Sequence, residues 1–195
     1  MTESSRGIVF LDRDGTINVE VNRLCLPDQL ELIPRAGEAV RRLNDAGFLA
    51  VLITNQSIIA RGECSDAVLE EIHERLNALL AEEGASLDAI YYCPHHPDPD
   101  PGNQSGRTIA ELSIRCECRK PGTAMIDRAL AKFSLLPRDA WMIGDTTVDL
   151  KTARNAGIRS ILVQTGYAGR DRRWPVRPDH EFADLHGAVE FVIRS

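Results

Sequence analysis

The sequence lacks any long apolar run. No stretch of its 195 residues approaches the roughly 20 apolar residues of a membrane span. The first residues, Met1 to Arg6, are polar and contain no signal-peptide core, so we expect a cytoplasmic protein with no membrane partner. Positive charge is in deficit, because the formal net charge is −6 and the sequence pI is about 5.4. We expect no nucleic-acid partner, since such binding requires clustered positive charge.

Cysteine is scarce and odd in number. The chain contains five cysteines, and three of them lie between Cys93 and Cys118. This distribution suits reduced metal ligands better than a disulfide framework, which agrees with a cytoplasmic location. The rest of the composition, 43% hydrophobic and 27% charged, is typical of a globular protein. We therefore predict a single domain over residues 1–195, present as a monomer.

Short apolar runs alternate with helical patterns along the chain. The runs are typical of buried parallel strands and cover Gly7–Leu11, Leu49–Ile53, Ala89–Tyr92, Trp141–Ile143 and Ser160–Val163. Between them, apolar spacing predicts helices after Pro34, from Ser65 to Glu83, after Pro121 and from Leu150 to Ala156. Such alternation predicts an α/β fold with a doubly wound, mostly parallel, Rossmann-like sheet. Ligands of such sheets bind at the carboxyl ends of the strands.

Two aspartates follow the first predicted strand, where the chain reads Leu11-Asp12-Arg13-Asp14-Gly15-Thr16. Hydrolysis of an alkyl phosphate needs a nucleophile, a cation for the phosphoryl oxygens and an acid for the leaving oxygen. Asp12 is therefore a candidate nucleophile that forms an acyl phosphate, and Asp14 a candidate acid and base. An acidic turn with no catalytic role is an equally good interpretation of this motif alone.

Three further polar motifs stand at strand ends or before a helix. Thr54, Asn55, Gln56 and Ser57 can donate hydrogen bonds to phosphoryl oxygens. Arg119 and Lys120 supply a planar fork and a point charge. Asp145 can complete a carboxylate site for Mg²⁺. Because all of these motifs fall at one edge of the predicted sheet, their convergence favours catalysis over isolated caps and loops.

The long aperiodic stretch after Tyr92 carries two close pairs of soft or borderline metal ligands. These are Cys93 with His95, and Cys116 with Cys118. Three thiolates and one imidazole are an ordinary closed structural site for Zn²⁺, so we predict a zinc loop over residues 93–118. His95 mirrors the spacing of the second pair, but the adjacent His96 remains an alternative ligand.

The four motifs, Asp-x-Asp-Gly-Thr, Thr-Asn, Lys-Pro and Gly-Asp-x-x-x-Asp, resemble in order those of the haloacid-dehalogenase (HAD) phosphatases. The resemblance implies a HAD-like fold without a large cap domain, and a phosphatase that uses an aspartyl-phosphate intermediate. It implies that Asp12 is the nucleophile, that Asp14 is the acid and base, and that Thr54 and Lys120 contact the phosphoryl group. Mg²⁺ would be held by Asp12, the Asp14 carbonyl and Asp145, with Asp149 beside them.

The zinc-loop motifs Cys-Pro-His-His-Pro and Cys-x-Cys-Arg-Lys-Pro, with Ile59-Ala60-Arg61-Gly62, are similar to those of the D-glycero-D-manno-heptose 1,7-bisphosphate 7-phosphatases. This likeness implies a role in supplying heptose for lipopolysaccharide or related glycans. It also implies a pocket for a small phosphorylated sugar, lined by Glu20, Asn22, Arg23, Ser57, Arg119 and Thr146. Ile58 and the long interval from His95 to Cys116 depart from the family pattern.

Two other functions are compatible with these motifs. Histidinol-phosphate phosphatases are similar in fold and zinc loop. A phospho-aspartate receiver module of the signalling type also carries an acyl phosphate near Mg²⁺, but a receiver keeps that phosphate, whereas the adjacent Asp14 suits turnover. Release of phosphate from a generic aryl phosphate distinguishes a phosphatase from a receiver.

Overall fold

One parallel sheet organises the part of the chain that the computed structural model describes, residues 7–99 and 106–195. Met1–Arg6 and residues 100–105 of the predicted zinc loop lie outside these ranges. The six strands lie in the order β3-β2-β1-β4-β5-β6, and every neighbouring pair is parallel. Their bounds are β1 Gly7–Leu11, β2 Phe48–Asn55, β3 Ala89–Cys93, β4 Ala140–Gly144, β5 Arg159–Val163 and β6 His180–Phe182. The predicted doubly wound α/β fold is confirmed.

Five α-helices pack on the two faces of this sheet. They are α1 Ala36–Asp45, α2 Asp66–Glu82, α3 Ala124–Phe133, α4 Thr147–Ala156 and α5 Leu185–Arg194. Local chemistry explains several of their ends. Ser65 caps α2, because its Oγ accepts a hydrogen bond from the Val68 amide at 3.2 Å. Gly157 ends α4 with φ +68°, a conformation that glycine adopts without steric cost.

The core consists of two apolar layers, one on each face of the sheet. Val9 and Leu11 of β1 pack with α1, α2 and α5, whereas Ile8 and Phe10 pack with α3 and α4. All four side chains are fully buried. Successive residues of a strand point to opposite faces, so a central strand that is covered on both sides must be apolar throughout. This explains the uninterrupted apolar run that identified β1 in the sequence.

The structure extends several of the predicted elements and adds two more. β2 continues through Asn55, so Thr54 and Asn55 are its last residues rather than part of a loop. α4 begins at Thr147, three residues earlier than the periodicity predicts. β6 and α5 were not predicted. β6 is a short, largely exposed edge strand without alternation, whereas α5 carries a signal that was overlooked, an Asp184 N-cap before buried Leu185, Val189 and Val192.

No large cap domain covers the carboxyl edge of the sheet within the described ranges. The segment between β1 and β2 contains a 3₁₀ turn and α1, and the segment between β2 and β3 contains α2. The second half of the long loop folds back onto the turn after β2, where the Ile109 amide donates to the Ala60 carbonyl at 2.9 Å. Ile109 and Leu112 pack against the buried cluster that includes Ile58. Ile58 and the long interval from His95 to Cys116, the two departures from the family pattern, therefore meet in one packed cluster.

Helix length and polarity also bear on the membrane question. None of the helices in residues 7–99 and 106–195 is long and apolar enough to cross a bilayer.

Candidate active site and cysteine cluster

The predicted catalytic residues line one cavity of about 330 Å³ at the carboxyl edge of the sheet. Asp12 follows β1, Thr54 ends β2 and Asp145 follows β4. Lys120 reaches the same cavity from the segment before α3. β1 lies between β2 and β4, and its two neighbours connect to helices on opposite faces. The site therefore lies at the switch point where an open α/β sheet leaves a crevice.

Lys120 joins two carboxylates at the bottom of this cavity. Its Nζ lies 2.8 Å from Asp12 Oδ1 and 2.6 Å from Asp149 Oδ1. The Lys120 residue is 4% exposed, and Asp149 is fully buried. Asn55 fixes the lysine backbone, because its side chain donates to the Lys120 carbonyl and accepts from the Lys120 amide. The ammonium group is therefore held at the Asp12 carboxylate both by its charge and by the hydrogen bonds of its backbone.

Three buried carboxylates form a group that can hold a divalent cation. One oxygen from each of Asp12, Asp145 and Asp149 lies within 4.8 Å of the others. Asp145 Oδ2 accepts a hydrogen bond from the Tyr167 amide at 2.6 Å, whereas its Oδ1 is buried and has no hydrogen-bond partner among the described residues. Hard carboxylate oxygens are the ligands that Mg²⁺ prefers. This donor set fits the predicted ion.

Glycine is required where the backbone approaches Asp145. Gly15 has φ +77° and Gly166 has φ +55°, and a Cβ atom at either position would collide with the Asp145 carboxylate. The Thr165 hydroxyl donates to the Gly15 carbonyl at 2.6 Å and joins these two turns. The close approach shields the Asp145 carboxylate from bulk water and leaves no room for a side chain at either glycine.

The charges of this group perturb each other strongly. Burial raises the pKa of Asp12 to about 7, and repulsion by Asp149 adds to the effect. Burial also raises the pKa of Asp145 to about 8, with further repulsion from Asp12 and Asp149. Burial disfavours charge on Lys120, but the two carboxylates beside it outweigh that effect and raise its pKa. The cluster therefore has an excess of negative charge, which a divalent cation would relieve.

We predict that the magnesium-free protein loses stability as the pH rises from 6.5 to 8. A carboxyl group whose pKa is raised by folding binds its proton more tightly in the folded state, so ionisation of Asp12 and Asp145 in this window favours unfolding. The free energy of unfolding should fall by on the order of 2 kcal/mol. Chemical denaturation at a series of pH values, after dialysis against magnesium-free buffer, measures this change.

The prediction begins at pH 6.5 because His73 has the opposite effect on stability at lower pH. Burial lowers its pKa to about 4, so the folded protein gains stability between pH 4 and 6.5 and opposes the aspartates there. Saturating Mg²⁺ should abolish the loss above pH 6.5, because the cation stabilises the ionised carboxylates. A flat profile without magnesium would contradict the proposed repulsion.

The Asp14 carboxylate is held in place by hydrogen-bond donors and is not part of the cluster of Asp12, Asp145 and Asp149. It lines the cavity and accepts hydrogen bonds from Arg13, Asn18 and Gln56. Burial disfavours its ionised form, but the Arg13 guanidinium and the two amides outweigh this and hold the pKa of Asp14 below its usual value. The adjacent aspartates therefore have different environments, since folding raises the pKa of Asp12 and lowers that of Asp14.

Most of the predicted substrate-binding residues line the same cavity. Glu20, Asn55, Arg119 and Thr146 lie on its wall with Thr54 and Lys120. Thr146 also caps α4, because its hydroxyl oxygen accepts from the Asp149 amide at 3.4 Å while the Asp149 carboxylate accepts from the Thr146 amide at 3.1 Å. Four predicted residues are not among the described residues that line the cavity: Asn22, Arg23, Gln56 and Ser57. Arg23 instead forms an ion pair with Glu63, and Gln56 is buried behind Thr54 and Asp14.

Besides Val148 of α4, the sequence analysis missed three residues that line the cavity, Tyr167, Asp171 and Arg173. They follow β5, whose carboxyl end lies at the same edge of the sheet. The rule that ligands bind at the carboxyl ends of parallel strands would have pointed to them. The Asp171 carboxylate accepts from the amide and hydroxyl groups of Thr147 at 2.8 and 2.5 Å, which ties this segment to the start of α4. The segment after β5, to which the sequence analysis assigned no function, thus places Arg173 on the cavity wall.

The four predicted zinc ligands form one compact cluster. The sulfur atoms of Cys93, Cys116 and Cys118 and the Nδ1 atom of His95 lie within 4.8 Å of one another. The recorded pairs are separated by 3.2 to 3.5 Å, close to the edge of about 3.7 Å in a tetrahedral zinc site. His96 Nδ1 instead accepts from the Asp98 amide. The chemistry and spacing of these donors fit a metal ion, and His95 rather than His96 lies among them.

Comparison with known proteins identifies the class to which this fold and site belong. A family model described as "HAD-hyrolase-like" matches residues 117–188. A D-glycero-D-manno-heptose-1,7-bisphosphate 7-phosphatase of Thermosynechococcus vestitus is 41% identical over 192 residues, covering 96% of this chain and 95% of the relative. A D-glycero-beta-D-manno-heptose-1,7-bisphosphate 7-phosphatase of Escherichia coli K12 is 36% identical over 188 residues, covering 96% and 88%. The chain belongs to the HAD-like hydrolase family and is a phosphoric monoester hydrolase of that family.

Solved structures agree with this assignment. The crystal structure of a D,D-heptose 1,7-bisphosphate phosphatase from B. bronchiseptica, complexed with magnesium and phosphate, has a TM-score of 0.82 and 32% identity. The matched region spans 96% of this chain and 98% of the B. bronchiseptica chain. The predicted family and the predicted enzyme class are thus confirmed.

Proposed function

We propose that this phosphatase removes the 7-phosphate of a D-glycero-D-manno-heptose 1,7-bisphosphate. The observation that carries the proposal is a cavity with two separate cationic groups, Lys120 beside Asp12 and the guanidinium pair Arg119 and Arg173. Lys120 would bind the reacting phosphoryl group, and Arg119 and Arg173 are available to bind a second phosphate. The curated relatives whose names carry this substrate support the same choice.

Asp12 is the proposed nucleophile. The negative charge of the bound phosphate raises the pKa of Asp14 from its lowered value in the free site, so that Asp14 takes up a proton from solvent. The Asp12 oxygen attacks phosphorus as the bond between phosphorus and the sugar oxygen breaks, and Asp14 gives that proton to the leaving oxygen. In the second step a water oxygen attacks phosphorus, the bond to Asp12 breaks, and Asp14 accepts the water proton. Lys120 and the Thr54 hydroxyl stabilise the charge on the phosphoryl oxygens in both steps.

Magnesium is the proposed cofactor at the carboxylate group. Asp12 and Asp145 would hold it through their side chains and Asp14 through its carbonyl oxygen, with Asp149 orienting Lys120. When bound, the ion neutralises phosphoryl charge and orients the phosphate for in-line attack. The unpartnered oxygen of Asp145 and the mutual repulsion of the three carboxylates support this assignment.

Zinc is the proposed occupant of the cysteine cluster, in a structural role. Three thiolates and one imidazole leave no open position for a reacting water. The cluster lies next to the catalytic residues, since Cys118 immediately precedes Arg119 and Lys120 and the Arg119 side chain donates to the His95 carbonyl at 3.0 Å. Zinc would therefore fix the segment that supplies both cations.

The remaining substrate contacts follow from the cavity wall. Burial lowers the pKa of Arg119 and the nearby Arg173 lowers it further, so two like charges are held close together. A bound phosphate relieves such repulsion. Glu20, Asn55 and Thr146 would contact sugar hydroxyls. We further propose a cytoplasmic, monomeric single domain without a nucleic-acid or membrane partner.

A substrate comparison tests the proposal. With Mg²⁺, phosphate release should be fastest from heptose 1,7-bisphosphate and much slower from histidinol phosphate and p-nitrophenyl phosphate. Arg173→Gln should lower kcat/KM for the bisphosphate by about 10- to 100-fold, because a charge-assisted contact to one phosphate contributes about 1.5–3 kcal/mol. It should change p-nitrophenyl phosphate hydrolysis by less than about threefold, because that substrate has no second phosphate.

Arg172→Gln on the same exposed segment is the matched control and should leave both substrates unaffected. A preference for histidinol phosphate would replace the proposed substrate. Labelling of the protein by a phosphate donor without release of phosphate would favour a receiver module instead.

A further inference from the structure

A charged residue, Arg13, is buried directly behind the proposed acid and base. Its side chain is 1% exposed, and its guanidinium donates to Asp14 Oδ1 from Nε at 3.1 Å and from Nη2 at 3.0 Å. The Nη2 atom also lies 2.9 Å from Asp14 Oδ2. Within the described residues, Asp14 is the one carboxylate recorded within ion-pair distance of Arg13. This forked geometry fixes both oxygens of the carboxylate at once.

Two buried amides complete the support of Asp14. Asn18 Nδ2 donates to Asp14 Oδ1 at 3.0 Å and to the Val19 carbonyl at 2.9 Å. Gln56 Nε2 donates to Asp14 Oδ2 at 3.0 Å and lies 2.8 Å from the Thr54 hydroxyl oxygen. The Asp14 carboxylate is therefore held from the Arg13 turn, from Asn18 and from the end of β2, and it cannot rotate without breaking several hydrogen bonds.

Burying these polar groups lowers the stability of the fold, and an apolar side chain could fill the same space without that cost. Arg13 Nη1, Asn18 Oδ1 and His73 Nε2 are buried polar atoms without a hydrogen-bond partner among the described residues. An apolar group of similar volume at position 13 would avoid the desolvation of a charge. Proteins keep such costly polar groups mainly where function needs them. Asp14 keeps a face on the cavity, since 22% of its side chain is exposed, so the supported carboxylate still reaches substrate.

We propose that Arg13 and Gln56 are positioning residues that hold the Asp14 carboxyl group in the orientation needed for proton transfer to the leaving oxygen. The inference rests on the proposed function, in which Asp14 is the acid and base. It gives Gln56 a role behind the site, in place of direct contact with substrate. Neither residue reaches the reacting atoms, so both act through Asp14.

Substitution of Gln56 by leucine tests the role of this amide, because leucine fills the space and donates no hydrogen bond. An alkyl phosphate has a poor leaving group that needs a proton, whereas p-nitrophenolate leaves without one. The kcat for the heptose bisphosphate should fall by about 10- to 100-fold with KM changed less than about twofold. The rate of p-nitrophenol release in the first turnover should change by less than about threefold.

Thr152→Val is the matched control, since it removes one buried hydrogen bond in α4, from the Thr152 hydroxyl to the Val148 carbonyl. It should leave both substrates unaffected. Arg13→Lys keeps the charge but not the fork, and it should show the same dependence on leaving group if the protein folds.

Three results overturn the inference. Equal slowing of both substrates by Gln56→Leu would indicate a general structural role. A rise in KM with kcat unchanged would make Gln56 a substrate contact. Unchanged kinetics would remove any role for the amide. Failure of the wild-type protein to hydrolyse any phosphate ester would instead refute the proposed function, which keeps the two claims separate.

Discussion

Substitution of Asp12 by asparagine should abolish turnover, with kcat reduced by at least about 10⁴-fold. The amide is a poor nucleophile, so the acyl phosphate cannot form even when substrate and magnesium are bound. Asp12 lies 2.8 Å from Lys120 Nζ, and its backbone amide is bound to the Ile143 carbonyl at 3.0 Å, so an isosteric side chain keeps its position. Phosphate release and phosphoprotein trapping after a rapid acid quench measure the two parts of this prediction.

The fold should survive this change. The Asp12→Asn substitution removes one of three mutually repelling carboxylates, so the magnesium-free variant should be at least as stable as the wild type at pH 8. Asp28→Asn, on an exposed 3₁₀ turn away from the cavity, is the control and should retain full activity. Residual turnover of Asp12→Asn within tenfold of the wild type would refute Asp12 as the nucleophile.

Substitution of Cys118 by serine should remove zinc and most of the activity together. The variant should contain less than about 0.1 zinc per chain, because a neutral hydroxyl replaces one thiolate of a closed site. Stability should fall by about 3 kcal/mol, which corresponds to ~10 °C in Tm for a protein of this size. The kcat should fall by about 100-fold, since Arg119 and Lys120 follow Cys118 directly and lose their support. Metal analysis, thermal unfolding and phosphate release measure the three effects.

Cys64→Ser is the matched control. Cys64 is buried, as Cys93 of the cluster is, but lies beside Ile58 and Leu69, outside the metal group. Its substitution should lower stability modestly and leave zinc content and kcat unchanged. Retention of one zinc per chain in Cys118→Ser would contradict the assigned ligand set and direct attention to His96.

The central strands and most helices could be predicted from the sequence, because a strand covered on both faces must be apolar and a packed helix needs an apolar stripe. β1 and the α2 cap at Ser65 are examples. The edge strand β6 could not be recognised, since its three residues His180–Phe182 are largely exposed and carry no period. Pairing with β5 decides that strand, and pairing is a tertiary contact.

The candidate site divides in the same way. The residue types led to the proposed chemistry, since aspartate, lysine and paired cysteines can serve as a nucleophile, a phosphate-binding cation and a zinc site. Which partner each side chain has was decided by the tertiary structure. Lys120 and Asp149 are 29 positions apart and meet only because α3 and α4 begin at the same sheet edge.

The sequence by itself therefore determined the family, the class of enzyme and the alternation of strands and helices. Tertiary structure alone placed Gln56 behind Asp14, directed His95 rather than His96 into the cysteine cluster, and brought Arg173 to the cavity. The physical reason is that motif chemistry is local along the chain, whereas burial, hydrogen-bond partners and charge neighbours depend on segments that are distant in sequence and meet only in the folded sheet.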